Sequence, residues 1–290
     1  QNCNISPEFM MEDSPLVPSK YPDYIYHVSW DYRNSRGDRA LQALAADDSL
    51  TKEEAMDLAF DITDPYWEHW RDGLRDISLG AAKRRMSEEK GLKADLESLL
   101  AWDGRYHRDS TAATLMRYFR LEAFKAMDPA PLNRGHKLTI EEQFTLLKAL
   151  DTARETMNQL YGSTAVAWGD IITVGRGGKY YPCSGADFGG GEGDRSIRTL
   201  LSIGVEETEK GSGKFVARKG SMAMLLMFMH KDGIESYSCI PWGQSADPKS
   251  PHYMDQGEEL FSQRKFKPVF RTKEALMKNV TSEVTLKTAG

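Results

Sequence analysis

The 290 residues are enough for one large domain or two smaller ones, with a sizeable core. A hydrophobic content of 40%, an aromatic content of 10% and a net charge of -5 describe an ordinary globular chain and argue against a nucleic-acid partner. The longest apolar run, Met222 to Met229, falls far short of the roughly 18 residues of a spanning helix, and no polybasic block marks a membrane surface.

The chain opens with Gln1-Asn2-Cys3-Asn4-Ile5-Ser6-Pro7, in which two amides flank a thiol and Pro7 disfavours a helix or central strand. Such a turn either uses Asn2 and Asn4 to satisfy its own backbone or holds one amide out as a fixed donor. There is no initiator Met and no signal-like segment, so the chain reads as a processed or excised piece of a longer precursor; any targeting signal would lie upstream, and its absence here says nothing about compartment. From Glu8 to Tyr32 the sequence is rich in Pro and Tyr and predicts a long irregular segment held by Tyr21, Tyr24, Tyr26 and Trp30. Within it, Glu12 and Asp13 are either a solvated acidic turn or contributors to a cation site shared with a partner chain.

Helical signals dominate from there to about Leu160. Thr51 and Glu54 form a capping box, followed by Ala55, Leu58, Ala59 and Ile62 at helical spacing, with Asp64-Pro65 as the stop. Leu92, Leu96, Leu99 and Leu100 mark the next helix, closed by Trp102-Asp103-Gly104. Ala112, Leu115, Met116 and Phe119 mark a third, and a second capping box at Thr139 and Glu142 opens a fourth with Leu146, Leu150, Ala153 and Met157 on one side.

After Tyr161 glycine becomes frequent and the helical period disappears. Ile171 to Val174 predicts a short strand, and Ser221 to His230 predicts a strand buried on both faces, turned by Lys231-Asp232-Gly233 into a partner at Ile234 to Ile240. The run Gly189 to Gly193 lacks the ending of a phosphate cradle and reads as a surface connection. A short helix is expected near Gln256 to Gln263, then an extended tail. The resulting division is an irregular segment over 1–48, a helical lobe over 49–164, and returning strands with a C-terminal helix and tail over 165–290.

None of the self-sufficient catalytic patterns is present. The six histidines show no HExxH spacing, no Gly-x-Ser-x-Gly elbow occurs, and the paired acids on helices read as solvated faces. His252 sits between Pro251 and Tyr253 and suits a structural hydrogen bond better than catalysis. Cys3, Cys183 and Cys239 have no metal-ligand spacing; Cys183 and Cys239 are either a disulfide or two buried thiols.

Several segments, taken in order, carry a family resemblance: Asn2 to Pro7, the Arg36 and Arg39 region, Leu50-Thr51, Trp102-Asp103-Gly104, Pro241-Trp242-Gly243-Gln244-Ser245, and His252-Tyr253 with Asp255-Gln256. Together they resemble the later part of the β subunit of penicillin acylase-type N-terminal nucleophile hydrolases, in the branch of acyl-homoserine lactone and aculeacin-type lipopeptide acylases. The resemblance implies an α+β chain, the C-terminal part of a four-layer αββα fold with a mostly helical lobe. It implies a precursor cut autoproteolytically so that a Ser becomes the first residue of the β subunit, its own α-amine acting as base. An amine of pKa about 7.7 to 8.0 is suited to that task.

Residue 1 here is Gln, so the resemblance puts the nucleophile and acyl pocket on a segment outside this chain. It assigns Asn4 as the side-chain donor to the oxyanion and Arg36 as the residue that orients Asn4 or the substrate; Arg39 either shares that task or forms a helix-start salt bridge. The implied reaction is hydrolysis of a linear acyl amide (an acyl-homoserine lactone, an acyl-lipopeptide or a penicillin-like substrate) through an acyl-enzyme. A long acyl chain is favoured because the wording of Pro241 to Ser245 and Ser250 to Tyr253 is closest to that branch. The implied partners are an α subunit and the N-terminal part of the β subunit, in a periplasmic or secreted setting, with no cofactor required and a structural calcium ion compatible with the reading. The competing reading is a non-catalytic structural or binding fragment that retains the fold.

Overall fold

The computed structural model describes residues 2–22, 24, 32–80, 90–189 and 193–285. Tyr26, His27 and Trp30, and the centre of the glycine run, lie outside the described residues; Tyr21 and Tyr24, expected to pack, are exposed.

Helices come first. Helix α1 (Ser35–Ala45) is capped by Asn34, whose side-chain oxygen accepts from Gly37 N at 3.1 Å. Helix α2 (Lys52–Ala59) carries the expected Thr51/Glu54 capping box but ends before the predicted stop, because Phe60 leaves helical geometry. Ile62 is therefore fully buried from an extended segment, where Thr63 bridges Arg105, and not from the helix face. Helix α3 (Trp67–Leu79) follows, then α4 (Lys90–Leu100), which buries Leu92, Leu96 and Leu99. At the turn after α4, Gly104 has φ +77°, and a Cβ there would lie 2.3 Å from the Trp67 ring. Only glycine suits both the left-handed backbone and the indole beneath it.

Helix α5 (Thr111–Ala126) and, after the single turn α6 (Ala130–Asn133), helix α7 (Ile140–Tyr161) pack against each other as the central helical pair. The Thr139/Glu142 box opens α7 as expected, and Leu146, Leu150, Ala153 and Met157 are all buried. Two aromatic groups fill this core: Trp70 meets Phe119 and Phe124 edge-on at 5.7 and 6.0 Å, and Trp67 leads through Trp102 and Tyr106 to Trp168. Buried at its centre, Arg120 donates to Asp64 at 2.5 Å, and Tyr106 donates its hydroxyl to the same carboxylate at 3.1 Å. The guanidinium lies 4.4 Å from the Trp70 ring centroid.

The short helix α8 (Trp168–Ile171) leads into strands β1 (Ile172–Arg176), β2 (Lys179–Pro182), β3 (Asp187–Phe188), β4 (Ile197–Arg198), β5 (Ile203–Glu207) and β6 (Phe215–Gly220). They form one sheet in the order β2-β1-β6-β5-β3-β4, with β1/β6 and β3/β5 parallel and the other pairs antiparallel. The buried cluster runs without a break from the helices into this sheet, through Trp168, Ile172, Phe188 and Ile203. The expected α+β composition is present, helices preceding strands.

A second sheet contains β7 (Met224–His230), β8 (Gly233–Cys239) and β9 (Lys267–Pro268), in that order. The hairpin closes at His230 and Gly233, as Asp232-Gly233 predicts. Burial on both faces is not observed: Leu225, Met227 and Met229 alternate to one side of β7 and are 56%, 58% and 83% exposed. The reason is position, since β7 is an edge strand and nothing among the described residues covers that face. A π-helical turn (Gly257–Phe261) lies within the expected short helix, and the tail carries a further helix α9 (Lys273–Met277). Among the described residues no helix is long and apolar enough to cross a membrane.

The disulfide alternative is not realised. All three cysteines are free, and burial pushes the thiols of Cys183 and Cys239 up to about 12.

Candidate active site

The opening turn is built from its own amides. Asn2 Oδ1 accepts from Asn4 N at 2.9 Å, and Asn4 adopts the left-handed region at φ +57°, which Asn tolerates better than most residues. Ile5 and Ser6 then plunge into the protein. Ser6 N donates to Tyr32 O at 2.8 Å and its Oγ accepts from Tyr32 N at 2.8 Å, so the turn is stitched to the residues just before α1.

Helix α1 supplies the second half of the site. Arg36, in its first turn, donates through Nη2 to Asn4 Oδ1 at 2.6 Å and to Cys3 O at 2.9 Å. The cap residue Asn34 donates through Nδ2 to the same Cys3 carbonyl at 3.0 Å while its oxygen caps the helix. A guanidinium has only donors, so the Asn4 atom facing it must be the amide oxygen, and Nδ2 is turned away. Asn4 is exposed, and its Nδ2 has no acceptor among the described residues. The arrangement is an amide locked by its oxygen with two N–H donors presented outward.

The sheet fixes the helix. Ser35 Oγ accepts from Arg198 N at 2.6 Å and lies within hydrogen-bond distance of the Ser196 and Arg198 carbonyls, at 3.1 and 3.0 Å. Arg198 donates in turn to Asp187 at 3.2 Å and to the Tyr32 hydroxyl at 3.0 Å. The start of α1 is therefore held by β3 and β4, and Asn4 is held by the start of α1. Asn34 and Ser35 were not singled out in the sequence, although Asn directly before Ser-Arg-Gly-Asp is an N-cap signal that reaches them.

Arg39, left open between two roles, forms the salt bridge. Its Nε and Nη2 contact both oxygens of Asp61, at 3.1 and 2.8 Å, and Asp61 also accepts from Thr63. That fork engages both oxygens of one carboxylate. Burial raises the Cys3 thiol above its ordinary range, against the pull of Arg36, which is the reverse of an activated thiolate.

The closing motif is structural in this chain. Gly243 N and Ser245 N donate to the Tyr253 and His252 carbonyls at 3.0 Å each, and Arg176 clasps the loop by donating to Ser245 O and Tyr253 O at 2.7 and 3.1 Å. His252 Nδ1 pairs with Asp255 Oδ2 at 2.8 Å. Glu12 opens onto a polar cleft of about 410 Å³ beside Arg33, Asp38, Tyr66 and Asp194. Among the described residues no group of three or more His, Cys, Asp or Glu side chains converges as a metal site.

A family model for penicillin amidase matches residues 1–278. No curated protein matches the sequence. Among solved structures, the thermostable penicillin G acylase from Alcaligenes faecalis is similar at 17% identity and a TM-score of 0.45, with 86% of this chain and 52% of that chain covered. The chain thus spans about half the length of that enzyme's chain. With its match running from the Asn4 turn through the strands and the closing motif, the chain belongs to the penicillin amidase family.

Proposed function

We propose that this chain is part of an amidohydrolase that cleaves the amide of an acylated substrate, with Asn4 donating to the oxyanion and Arg36 positioning Asn4. The observation that carries the reading is the lock on the Asn4 amide, oxygen to Arg36 at 2.6 Å and Nδ2 free of protein acceptors among the described residues. Such a donor is fixed before charge develops, so it costs no reorganisation when the carbonyl oxygen becomes negative.

The nucleophile is the hydroxyl of an N-terminal Ser on a polypeptide outside this chain, with its own α-amine as base. Attack by the Ser Oγ, whose proton passes to the α-amine, forms the C–O bond and moves the carbonyl electron pair onto oxygen, to which Asn4 Nδ2–H donates. Collapse expels the amine, which takes the proton held by the α-ammonium, and leaves an acyl ester that water hydrolyses. The partner polypeptides are an α subunit and the N-terminal part of the β subunit. The substrate is a long-chain linear acyl amide, of the acyl-homoserine lactone or lipopeptide kind, a preference that rests on the resemblance of the closing motif.

The test is Asn4→Ala in the assembled protein. The expected result is a fall in kcat per folded site of about 10² to 10³ with KM little changed. A lowered melting point with normal turnover instead makes Asn4 a turn residue, costing about 0.5 to 2 kcal/mol as loss of an Asn cap does, and favours the non-catalytic reading.

A further inference from the structure

Between the sheet and the closing loop lies a cavity of about 250 Å³ whose walls include Val174, Ile203, Ala217, Pro241, Trp242 and Phe261. The strand register puts its sheet wall on a single face. Ile172 and Thr173 of β1 pair in parallel with Phe215 and Val216 of β6, so Val174 stands beside Ala217, and Ala217 pairs with Val205, two residues from Ile203. That face is the one that enters the main buried cluster, through Ile172, Val174 and Ile203. Across the space, Phe261 belongs to the same cluster, and Pro241 and Trp242 come from the loop after β8. Met222, half exposed, lines the cavity at its open side.

The cations named on the lining do not bring a free charge into this space. The stem of Lys219 lies against Gly204, where an added Cβ would come within 2.5 Å of the Lys219 Cγ. Gly204 alternates with Ile203 along β5, so Lys219 leaves by the face opposite the cavity. Arg218 approaches Glu206 at 3.8 Å on that far face. Arg176 shares the cavity face with Val174 but is committed to the closing loop, donating to Ser245 O and Tyr253 O and stacking 4.3 Å from the Tyr253 centroid, with its unpaired Nε sealed from solvent. The Ser221 hydroxyl accepts from Ser202 N at 3.2 Å. What meets the space is carbon: aliphatic side chains from the sheet, and rings from Trp242 and Phe261 on the other side.

We propose that this cavity binds a small neutral aromatic molecule of about two fused rings, held between Val174 and Ala217 on the sheet side and Trp242 and Phe261 on the other. An apolar cavity of about 150 Å³ accepts benzene, so a space of about 250 Å³ has room for a second ring. It stays below the roughly 300 to 1,000 Å³ of pockets for drug-sized molecules. A ring is favoured over an alkyl chain because aromatic pairs gain more than the area they bury. The site is separate from Asn4, which is anchored at the β4 end of the sheet, and the inference does not rest on the amidohydrolase reading.

The experiment titrates naphthalene into the assembled protein labelled with ¹³C-methyl Met, reading Met222, whose signal is identified by its loss in Met222→Leu. A saturable ring-current shift of that methyl is expected, with little change at Met227 and Met229, which are more exposed but line no part of the cavity. 2-Naphthoate, the same rings with a charge, should bind about tenfold more weakly, because its carboxylate loses water without gaining a partner. Ala217→Leu, which fills part of the space, should weaken naphthalene about tenfold as an overpacked wall does. If Ala217→Leu does not fold, the comparison of Met222 with Met227 and Met229 and the 2-naphthoate titration decide in the unmodified protein. No saturable shift at Met222, equal shifts at Met227 and Met229, 2-naphthoate binding as tightly as naphthalene, or full affinity in folded Ala217→Leu would each overturn the proposal.

Discussion

The Arg36 guanidinium donates to the Asn4 side-chain oxygen at 2.6 Å, joining two residues 32 positions apart into one unit at the start of α1. The same Nη2 reaches Cys3 O at 2.9 Å, so Arg36 fixes both the backbone and the amide of the opening turn. Replacing Arg36 with Ala frees the amide to rotate, and misplacement on the scale of an ångström costs about 10²-fold in rate. The expected outcome is that loss in kcat with KM near normal. Arg36→Lys should recover part of it, because an ammonium supplies a point charge without the planar fork. Steady-state kinetics per folded site, beside melting curves, checks this; equal kcat in all three proteins would remove Arg36 from the site.

The Asp64–Arg120 pair lies wholly inside the helical core, with both side chains 0% exposed. Asp64→Ala strands the guanidinium beside Trp70 without its counter-charge. A loss of about 3 to 5 kcal/mol is expected, as when one partner of a buried ion pair is removed. Replacing both residues with apolar ones of similar volume should recover much of that loss, since the double change leaves no buried charge. Urea unfolding of the single and double variants measures the difference.

Glu207 gives the β5–β6 connection a pH dependence. Its carboxylate accepts from Gly211 N at 2.9 Å and Gly213 N at 2.8 Å, and these two bonds hold its pKa below the usual glutamate range. A depressed carboxylate contributes stability above its unfolded pKa and loses it as pH falls through the folded one. Protection of the Gly211 and Gly213 amides against hydrogen exchange should therefore drop on acidification through the Glu207 titration, and Glu207→Gln should make it flat over that range.

Strand β7 presents Leu225, Met227 and Met229 on one side of an edge strand, the combination that templates aggregation. Expressed by itself, the chain should self-associate, and Met227→Lys with Met229→Lys should reduce that association while leaving far-ultraviolet dichroism unchanged. Light scattering and sedimentation follow it. A monodisperse, cooperatively melting species from the unmodified chain would show that this face needs no cover.

The local elements follow from residues close together in the chain. Thr51/Glu54 and Thr139/Glu142 start helices where they stand because a capping box is complete within four residues, and Leu92, Leu96 and Leu99 select a buried face by spacing alone. The Asp232-Gly233 turn is equally local. The partner of each polar group depends instead on segments brought together by folding. Arg36 and Arg39 sit on one helix three residues apart, yet one reaches Asn4 and the other Asp61, because the identity of a guanidinium's acceptor depends on which distant segments fold against it. Burial of β7 failed as an expectation for the same reason. An apolar run records that a strand has faces to cover, but whether they are covered is a property of its neighbours, and here the chain leaves Leu225, Met227 and Met229 facing outward.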